Sequence, residues 1–201
     1  DSANVYQNKS YLGAKLAIHL NNLNNELFPT RGIKWNTEFS SLAGISKTNN
    51  NITKLSSDMA IYASLSDRAR LITVIQVGAG HIFSNQPEYF QAFTLGANNF
   101  LQGFRKNRFA GTSAFYSSLE FRMKLTDVKS YFIPGAFGLI GFNELGRVWL
   151  KGENSNRWHH TYGGGLYYIP FNLAIISATV GFSREEHLFN FSIGTRFNLS
   201  F

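Results

Sequence analysis

Apolar and polar residues alternate with a period of two along most of the chain, as in strands with one apolar and one polar face. Leu12, Ala14, Leu16, Ile18 and Leu20 alternate with Gly13, Lys15, Ala17 and His19. A turn over residues 21–32 carries the breakers Pro29 and Gly32. Ile33, Trp35, Thr37 and Phe39 then alternate with Lys34, Asn36, Glu38 and Ser40. The polar loop 47–51 leads to a segment in which Leu55, Met59, Ile61 and Leu65 share one parity. Ser66, Asp67 and Arg68 form a tight turn into an apolar stretch at 71–80. Farther on, Phe115, Leu119, Phe121, Met123 and Leu125 oppose Ser118, Glu120, Arg122 and Lys124. A turn is predicted at 126–130, then strands over 131–149 and 162–168, separated by a polar loop. After a turn at 169–172, Ala174, Ile176, Ala178, Val180 and Phe182 line one face. In the last segment Phe189, Phe191, Ile193, Phe197, Leu199 and Phe201 alternate with Asn190, Ser192, Gly194, Arg196, Asn198 and Ser200. Nine strands result, none of the segments has a helical period, and the predicted class is all-β.

Residues 93–109, FTLGANNFLQGFRKNRF, break the alternation. They lie in a connection running from about residue 84 to 112, a length that in a compact domain is usually functional or disordered. Phe93, Phe100, Phe104 and Phe109 argue against disorder, because solvated segments have few aromatics. Composition alone leaves open an Ω-loop packed on its own side chains.

Composition narrows the setting. Charged residues make up 15% of the chain, against about 25% in ordinary soluble domains, and aromatics make up another 15%. The net charge of +7 comes from scattered residues, with no Lys/Arg run longer than two. That pattern argues against nucleic acid and fits anionic headgroups or a polar lumen. There is no cysteine, and no segment approaches the roughly 18 apolar residues of a membrane helix. The chain opens on DSANVYQ, without initiator methionine or signal peptide, and is expected to be a mature product or part of something longer.

Candidate chemistry is sparse. His159 and His160 would point to opposite faces of a strand, and no carboxylate lies at ligand spacing, so no metal is expected. Ser113 and Ser117 have no partners for nucleophilic catalysis, and no glycine-rich phosphate loop is present. No enzyme activity and no cofactor are expected of these residues; any catalytic domain would lie upstream. Trp158 and Tyr162 fit an interfacial aromatic girdle, while Asp67, Asp127, Glu185 and Glu186 read as solvated turns.

A soluble barrel and an outer-membrane barrel both fit many alternating strands, and they differ in which face is apolar. Three features favour the membrane. Several strands reach about ten residues, as tilted membrane strands need. Long and short loops alternate. The chain also ends on Phe201 at the close of an alternating strand, which resembles the C-terminal signal by which outer-membrane barrels are recognised for assembly; Phe189, Phe191, Ile193, Phe197 and Phe201 would carry it. With a periplasmic C-terminus, the turns at 21–32, 66–69, 126–130 and 169–172 face the periplasm, and 47–51, 84–112, 150–157 and 184–187 face outwards. Nine is odd, whereas bacterial single-chain barrels have even strand numbers, so a C-terminal portion of a larger barrel is expected.

Leu101-Gln102-Gly103-Phe104 resembles the aliphatic-Arg-Gly-aromatic motif of the inward-folded loop in the bacterial surface antigen superfamily, which contains the BamA, TamA and two-partner-secretion barrels. Phe142-Asn143-Glu144-Leu145-Gly146-Arg147-Val148-Trp149 is similar to the family's Phe-x-acid-x-Gly-x-Val-aromatic strand. GGGLYYIPFN at 163–172 and the closing FNFSIGTRF resemble its last strands. The resemblance implies about nine C-terminal strands of a roughly sixteen-stranded barrel, one membrane segment over residues 1–201 with loop 84–112 folded inwards. It implies a latch of Gln102, Gly103, Phe104, Arg105, Glu144 and Gly146 between loop and wall. Gln102 stands where the family has arginine; its neutral amide can still hydrogen-bond Glu144 without the charge-assisted part of the contact, and Arg105, three residues on, is the candidate to take over the charged role. Implied function is insertion or translocation of polypeptides at the outer membrane of a Gram-negative bacterium. Implied partners are membrane lipid, lipopolysaccharide, the missing N-terminal barrel half or other subunits, and client outer-membrane proteins. FRKNRFAG also resembles barrels fused to metallophosphoesterase or patatin-like domains, so an anchor or secretion pore for an upstream hydrolase is an alternative. A soluble barrel binding an apolar ligand is another.

Overall fold

A computed structural model describes residues 10–45, 51–66, 68–84, 92–97, 100–150 and 157–195. Its strands are β1 (Tyr11–Leu23), β2 (Gly32–Gly44), β3 (Ile52–Ser64), β4 (Leu71–Ile82), β5 (Phe93–Leu95), β6 (Phe109–Gly111), β7 (Ser113–Val128), β8 (Gly135–Trp149), β9 (His159–Pro170), β10 (Ala174–Phe182) and β11 (His187–Thr195). Nine of them form one sheet in the order β1-β2-β3-β4-β7-β8-β9-β10-β11, while β5 and β6 make a small hairpin of their own. Every neighbouring pair is antiparallel. Among the described residues β1 pairs only with β2 and β11 only with β10, so both edges of the sheet are open.

Register carries the period-two pattern across the sheet. Asn21, Lys34, Ala60, Gln76, Ser118, Glu144 and Thr161 stand opposite one another in a single row. The neighbouring row on the other face runs through Leu20, Trp35, Met59 and Val77. Large apolar side chains on that second face are exposed: Leu16, Trp35, Phe39, Met59, Phe121, Leu166 and Phe191 among them. A sheet that shows its large apolar residues outwards and turns small and polar ones inwards is built for lipid, because water would penalise the arrangement. With 16 residues in β7 and 15 in β8, the strands exceed the about 9–11 needed to cross a bilayer at a tilt.

The structure departs from the sequence expectation at two connections. The first three residues of the turn expected at 126–130 are still strand: β7 runs to Val128, with a bulge between Lys124 and Thr126. The extra residue shifts the parity and hides the strand's continuation from a period-two reading. The true turn lies at 129–134, and β8 begins at Gly135 rather than near 131. Loop 84–112 also contains strand, since Phe93 pairs with Gly111 and Leu95 with Phe109.

The β1–β2 turn does more than reverse the chain. Asn24 Oδ1 accepts from the amides of Thr30 and Arg31 at 3.0 and 3.1 Å. Asn25 Oδ1 accepts from Leu27 and Phe28 at 2.9 and 3.1 Å, and these side-chain turns fold the segment inwards. Phe28 reaches across to β9, its ring 5.1 Å from that of Tyr167, and Arg122 of β7 lies over it at 5.3 Å. Pro29 is buried beside it. The turn therefore forms a floor under one end of the inner face. Replacing Phe28 with Ala is expected to lower the unfolding free energy of the full-length protein by about 1–2 kcal/mol, from the lost ring pair and cation–π contact. Urea unfolding in detergent, followed by tryptophan fluorescence, measures the shift.

Candidate functional site

The sheet's inner face is occupied by the central loop. The β5–β6 hairpin rises from β4 and β7 and packs back on the wall. Leu95, Leu101, Phe104 and Ala114 make a buried cluster, joined by Phe93, Phe109, Tyr116 and Val148. Phe100 has a φ of +66°, costly for an aromatic residue, and its ring lies flat on Tyr116 at 3.7 Å. That stacking offsets the strain. Turns within the loop are closed by Leu101 N–H to Gly96 O at 3.1 Å and Ala97 N–H to Phe104 O at 3.1 Å. The phenylalanines that argued against disorder thus pack both on one another and on the wall.

At the loop's tip a polar cluster replaces the apolar one. Gln102 donates its backbone N–H to Glu144 Oε2 at 2.8 Å and its side-chain amide to Glu144 Oε1 at 3.0 Å. Thr161 also donates to Glu144 Oε2, at 3.3 Å, and accepts from Gly103 N–H at 3.3 Å. Gln102 Oε1 accepts from Thr179 at 3.1 Å, and its backbone carbonyl accepts from Asn190 Nδ2 at 2.9 Å. Glu144, Thr161 and Thr179 are the buried polar residues among those described, and all three belong to this cluster. One loop residue therefore binds β8, β10 and β11, and its neighbour binds β9.

The amide at position 102 is matched to this surrounding. Its nitrogen donates to a carboxylate while its oxygen accepts from a hydroxyl. A guanidinium has five donors and no acceptor, so arginine could not take the Thr179 contact as it stands. Arg105 does not replace the missing charge. Its Nε lies 2.9 Å from Glu186 Oε1, at an exposed position by the β10–β11 turn, and Glu144 already has both oxygens occupied. Arg108 pairs likewise with Glu185 at 3.0 Å. Glu185 and Glu186, read from sequence as solvated turn residues, are the acceptors of a second, outer clasp. Exposed pairs of this kind contribute only about 0–1 kcal/mol each.

Close approach explains the glycines. A Cβ on Gly103 would sit 3.0 Å from the backbone of Phe182, and one on Gly181 would sit 2.7 Å from the carbonyl carbon and oxygen of Gln102. Loop and β10 touch backbone to backbone here. Gly146 clears space for Leu95 and Leu101, whose methyls would lie 3.0 and 3.2 Å from an added Cβ. Phe104, the remaining motif residue, is buried in the apolar cluster and meets Phe109 at 5.0 Å.

Other predicted positions fall elsewhere. Phe189, Phe191 and Ile193 line one exposed face of β11, and Phe197 and Phe201 lie outside the described residues. His159 stacks on Phe109 at 3.5 Å on the inner face, while His160 meets Asn143 at 3.2 Å on the outer. Trp158 packs 6.4 Å from Trp149, with Arg147 over both rings, and Tyr162 stacks on Phe182 at 5.7 Å. Below the tip, a cavity of about 690 Å³ separates Gln102 and Lys106 from Leu27 and Pro29 of the floor.

The family model described as the Omp85 superfamily domain matches residues 2–197. The chain belongs to the Omp85 superfamily. Among solved structures, that of BamA from Haemophilus ducreyi lacking POTRA domains 1–3 resembles it with a TM-score of 0.67 and 16% identity over 90% of this chain. The Omp85 chain spans 42% of the length of that structure, and its nine strands follow a portion of that barrel. No curated protein sequence matches it. The small and polar face bearing the loop is accordingly the lumen side of this Omp85 segment, and the soluble apolar-ligand barrel is not favoured. Thr161, Thr179, Asn190 and Gly181 were missed by sequence reading; each occupies an ordinary place in an alternating strand, and only the cross-strand register aligns them.

Substituting Gln102 with Leu leaves a buried carboxylate oxygen without its donor and is expected to loosen the tip by about 1–3 kcal/mol. Tryptic cleavage after Arg105 and Lys106 in the folded full-length protein should then accelerate by roughly tenfold or more, since 1.4 kcal/mol is a factor of ten. Arg105→Leu, which breaks only the exposed Glu186 pair, should alter cleavage after Lys106 several times less.

Proposed function

We propose that this chain is the C-terminal part of a Gram-negative outer-membrane barrel that inserts or translocates polypeptides. The observation that carries the reading is the grip of one loop tip on four consecutive strands, β8 to β11, through Glu144, Thr161, Thr179 and Asn190. Loop 84–112 then lies on the extracellular side and the floor turn on the periplasmic side, with lipid and lipopolysaccharide against the outer face.

In this reading the latch is a positioning device. Among the described residues β11 has one partner strand, and its other edge offers unpaired backbone groups, which can template an incoming strand of a client outer-membrane protein or meet the N-terminal barrel half. A free edge is useful only if its height and tilt are fixed. The Asn190 bond to the Gln102 carbonyl ties β11 to a loop that is itself anchored on β8. Phe189, Phe191 and Ile193 present the lipid-side face of that edge. The upstream-hydrolase anchor rests on the FRKNRFAG resemblance alone.

Cells depleted of the native protein and complemented with a full-length Gln102→Leu/Asn190→Leu variant should show several-fold lower levels of other folded outer-membrane proteins. The variant's own abundance, measured in the same membranes, separates loss of function from loss of the protein. Normal levels of other outer-membrane proteins under full depletion would refute the role. Loss of a surface hydrolase activity under the same depletion would favour an anchor instead.

A further inference from the structure

The end of the sheet opposite the loop carries a feature that the latch does not use. The β7–β8 turn displays Tyr131 at 96% and Phe132 at 82% exposure, with Ile133 half exposed. This tip is held in place. Ser130 Oγ accepts from Phe132 N–H at 3.3 Å, Tyr168 donates its hydroxyl to Ile133 O at 2.6 Å, and Phe171 N–H donates to Pro134 O at 2.8 Å. Tyr168 is opposite Phe137 and Ile176, on the face that meets lipid, so the tip extends the apolar outer band. Phe171 and Leu173 of the next turn are also exposed there.

Beside this tip, Arg68, Arg70, Lys124 and Lys129 line a cleft of about 370 Å³, with Asp127 as the acidic residue in its lining. Lys124 neutralises Asp127 at 2.6 Å. Among the described residues no carboxylate pairs with Arg68, Arg70 or Lys129. Three cations are thus gathered at one rim, and one of them, Lys129, stands two positions before Tyr131 of the exposed aromatic tip.

We infer that this rim is a binding site for an anionic glycerophospholipid. Arg68, Arg70 and Lys129 hold the headgroup phosphate, and Tyr131 and Phe132 lie at the interface beside its acyl chains. A phospholipid answers both halves of the surface at once, charge to the cleft and hydrocarbon to the tip. An acidic soluble protein would match the cations and leave the tip in water beside the membrane. The site needs only a membrane-embedded barrel, not the polypeptide-inserting role, so its failure and the failure of that role are separable. With the loop outside, the lipid belongs to the periplasmic leaflet.

The test is native mass spectrometry of the full-length protein released from vesicles containing equal phosphatidylglycerol and phosphatidylcholine of identical chains. The wild type should retain phosphatidylglycerol in preference by about tenfold or more, because basic residues at the membrane surface attract anionic headgroups. Arg68→Gln/Arg70→Gln/Lys129→Gln should retain the two lipids equally while keeping heat-modifiable mobility, the mark of a folded barrel. Should the triple variant not fold, Lys129→Gln alone must lower the preference severalfold. Tyr131→Ser/Phe132→Ser should reduce retention of both lipids and leave the headgroup preference. Equal retention by the wild type, or an undiminished preference in the folded charge variants, overturns the site. So does displacement of the lipid by excess inorganic phosphate or polyglutamate, which would reassign the cleft to a free anion or an acidic protein.

Discussion

A carboxylate buried in the wall of a barrel must be given its hydrogen-bond donors, and the wall cannot supply enough of them. Glu144 is 2% exposed, and a buried charge without partners is among the most costly groups a protein can hold. β9 contributes one hydroxyl, that of Thr161. The other two donors come from Gln102. Satisfying that one side chain draws the loop tip onto β8, and the two carbonyl oxygens of Gln102 then accept from Thr179 of β10 and Asn190 of β11. The fit also runs in reverse, since the loop's own backbone N–H and carbonyl would be unpaired if the wall were smooth and apolar.

Two kinds of adhesion share the loop, and they do different jobs. The cluster of Leu95, Leu101 and Phe104 supplies non-directional burial, which holds the loop against the wall but tolerates sliding. The polar tip supplies direction, because five hydrogen bonds converge on Gln102 and Gly103 from four strands. Bare backbone at Gly103 and Gly181 brings the tip close enough for those bonds to form. The exposed arginine–glutamate pairs outside contribute little energy, yet they lead the chain to the β10–β11 turn and away from the lumen.

Much of the fold was legible because the two faces of each strand see different surroundings, and Leu16, Phe39 or Phe191 therefore recur at every second position. Where the surroundings change within a strand the reading fails. The bulge at Lys124/Thr126 exchanged the faces and made the end of β7 look like a turn, and Phe28, one of the apolar residues of a turn rich in asparagine, gave no sign of its distant partner Tyr167. At the candidate site, Gln102 and Glu144 were legible through a resemblance of short motifs. Arg105 was assigned to the wrong acid because charge was weighed without knowing that Glu144 was already full. Thr161, Thr179 and Asn190 carry no local signal at all, for their role is created by register and by a loop that comes from elsewhere in the chain.

The contacts of the tip also fix an order in time. Gln102 meets Glu144 across 42 residues, Thr179 across 77 and Asn190 across 88, and long separations are the slow ones to close. The tip precedes each of its polar partners, Glu144, Thr161, Thr179 and Asn190, in the chain. It cannot be fully seated until β11 has joined the sheet, and a seated loop therefore marks the arrival of β11. A half-built sheet would carry Glu144 and Gln102 together but leave the Gln102 carbonyl without its partner Asn190. The Asn190 bond to the Gln102 carbonyl is thus the contact of longest sequence separation at the tip, and it joins β11 to a loop already held on β8.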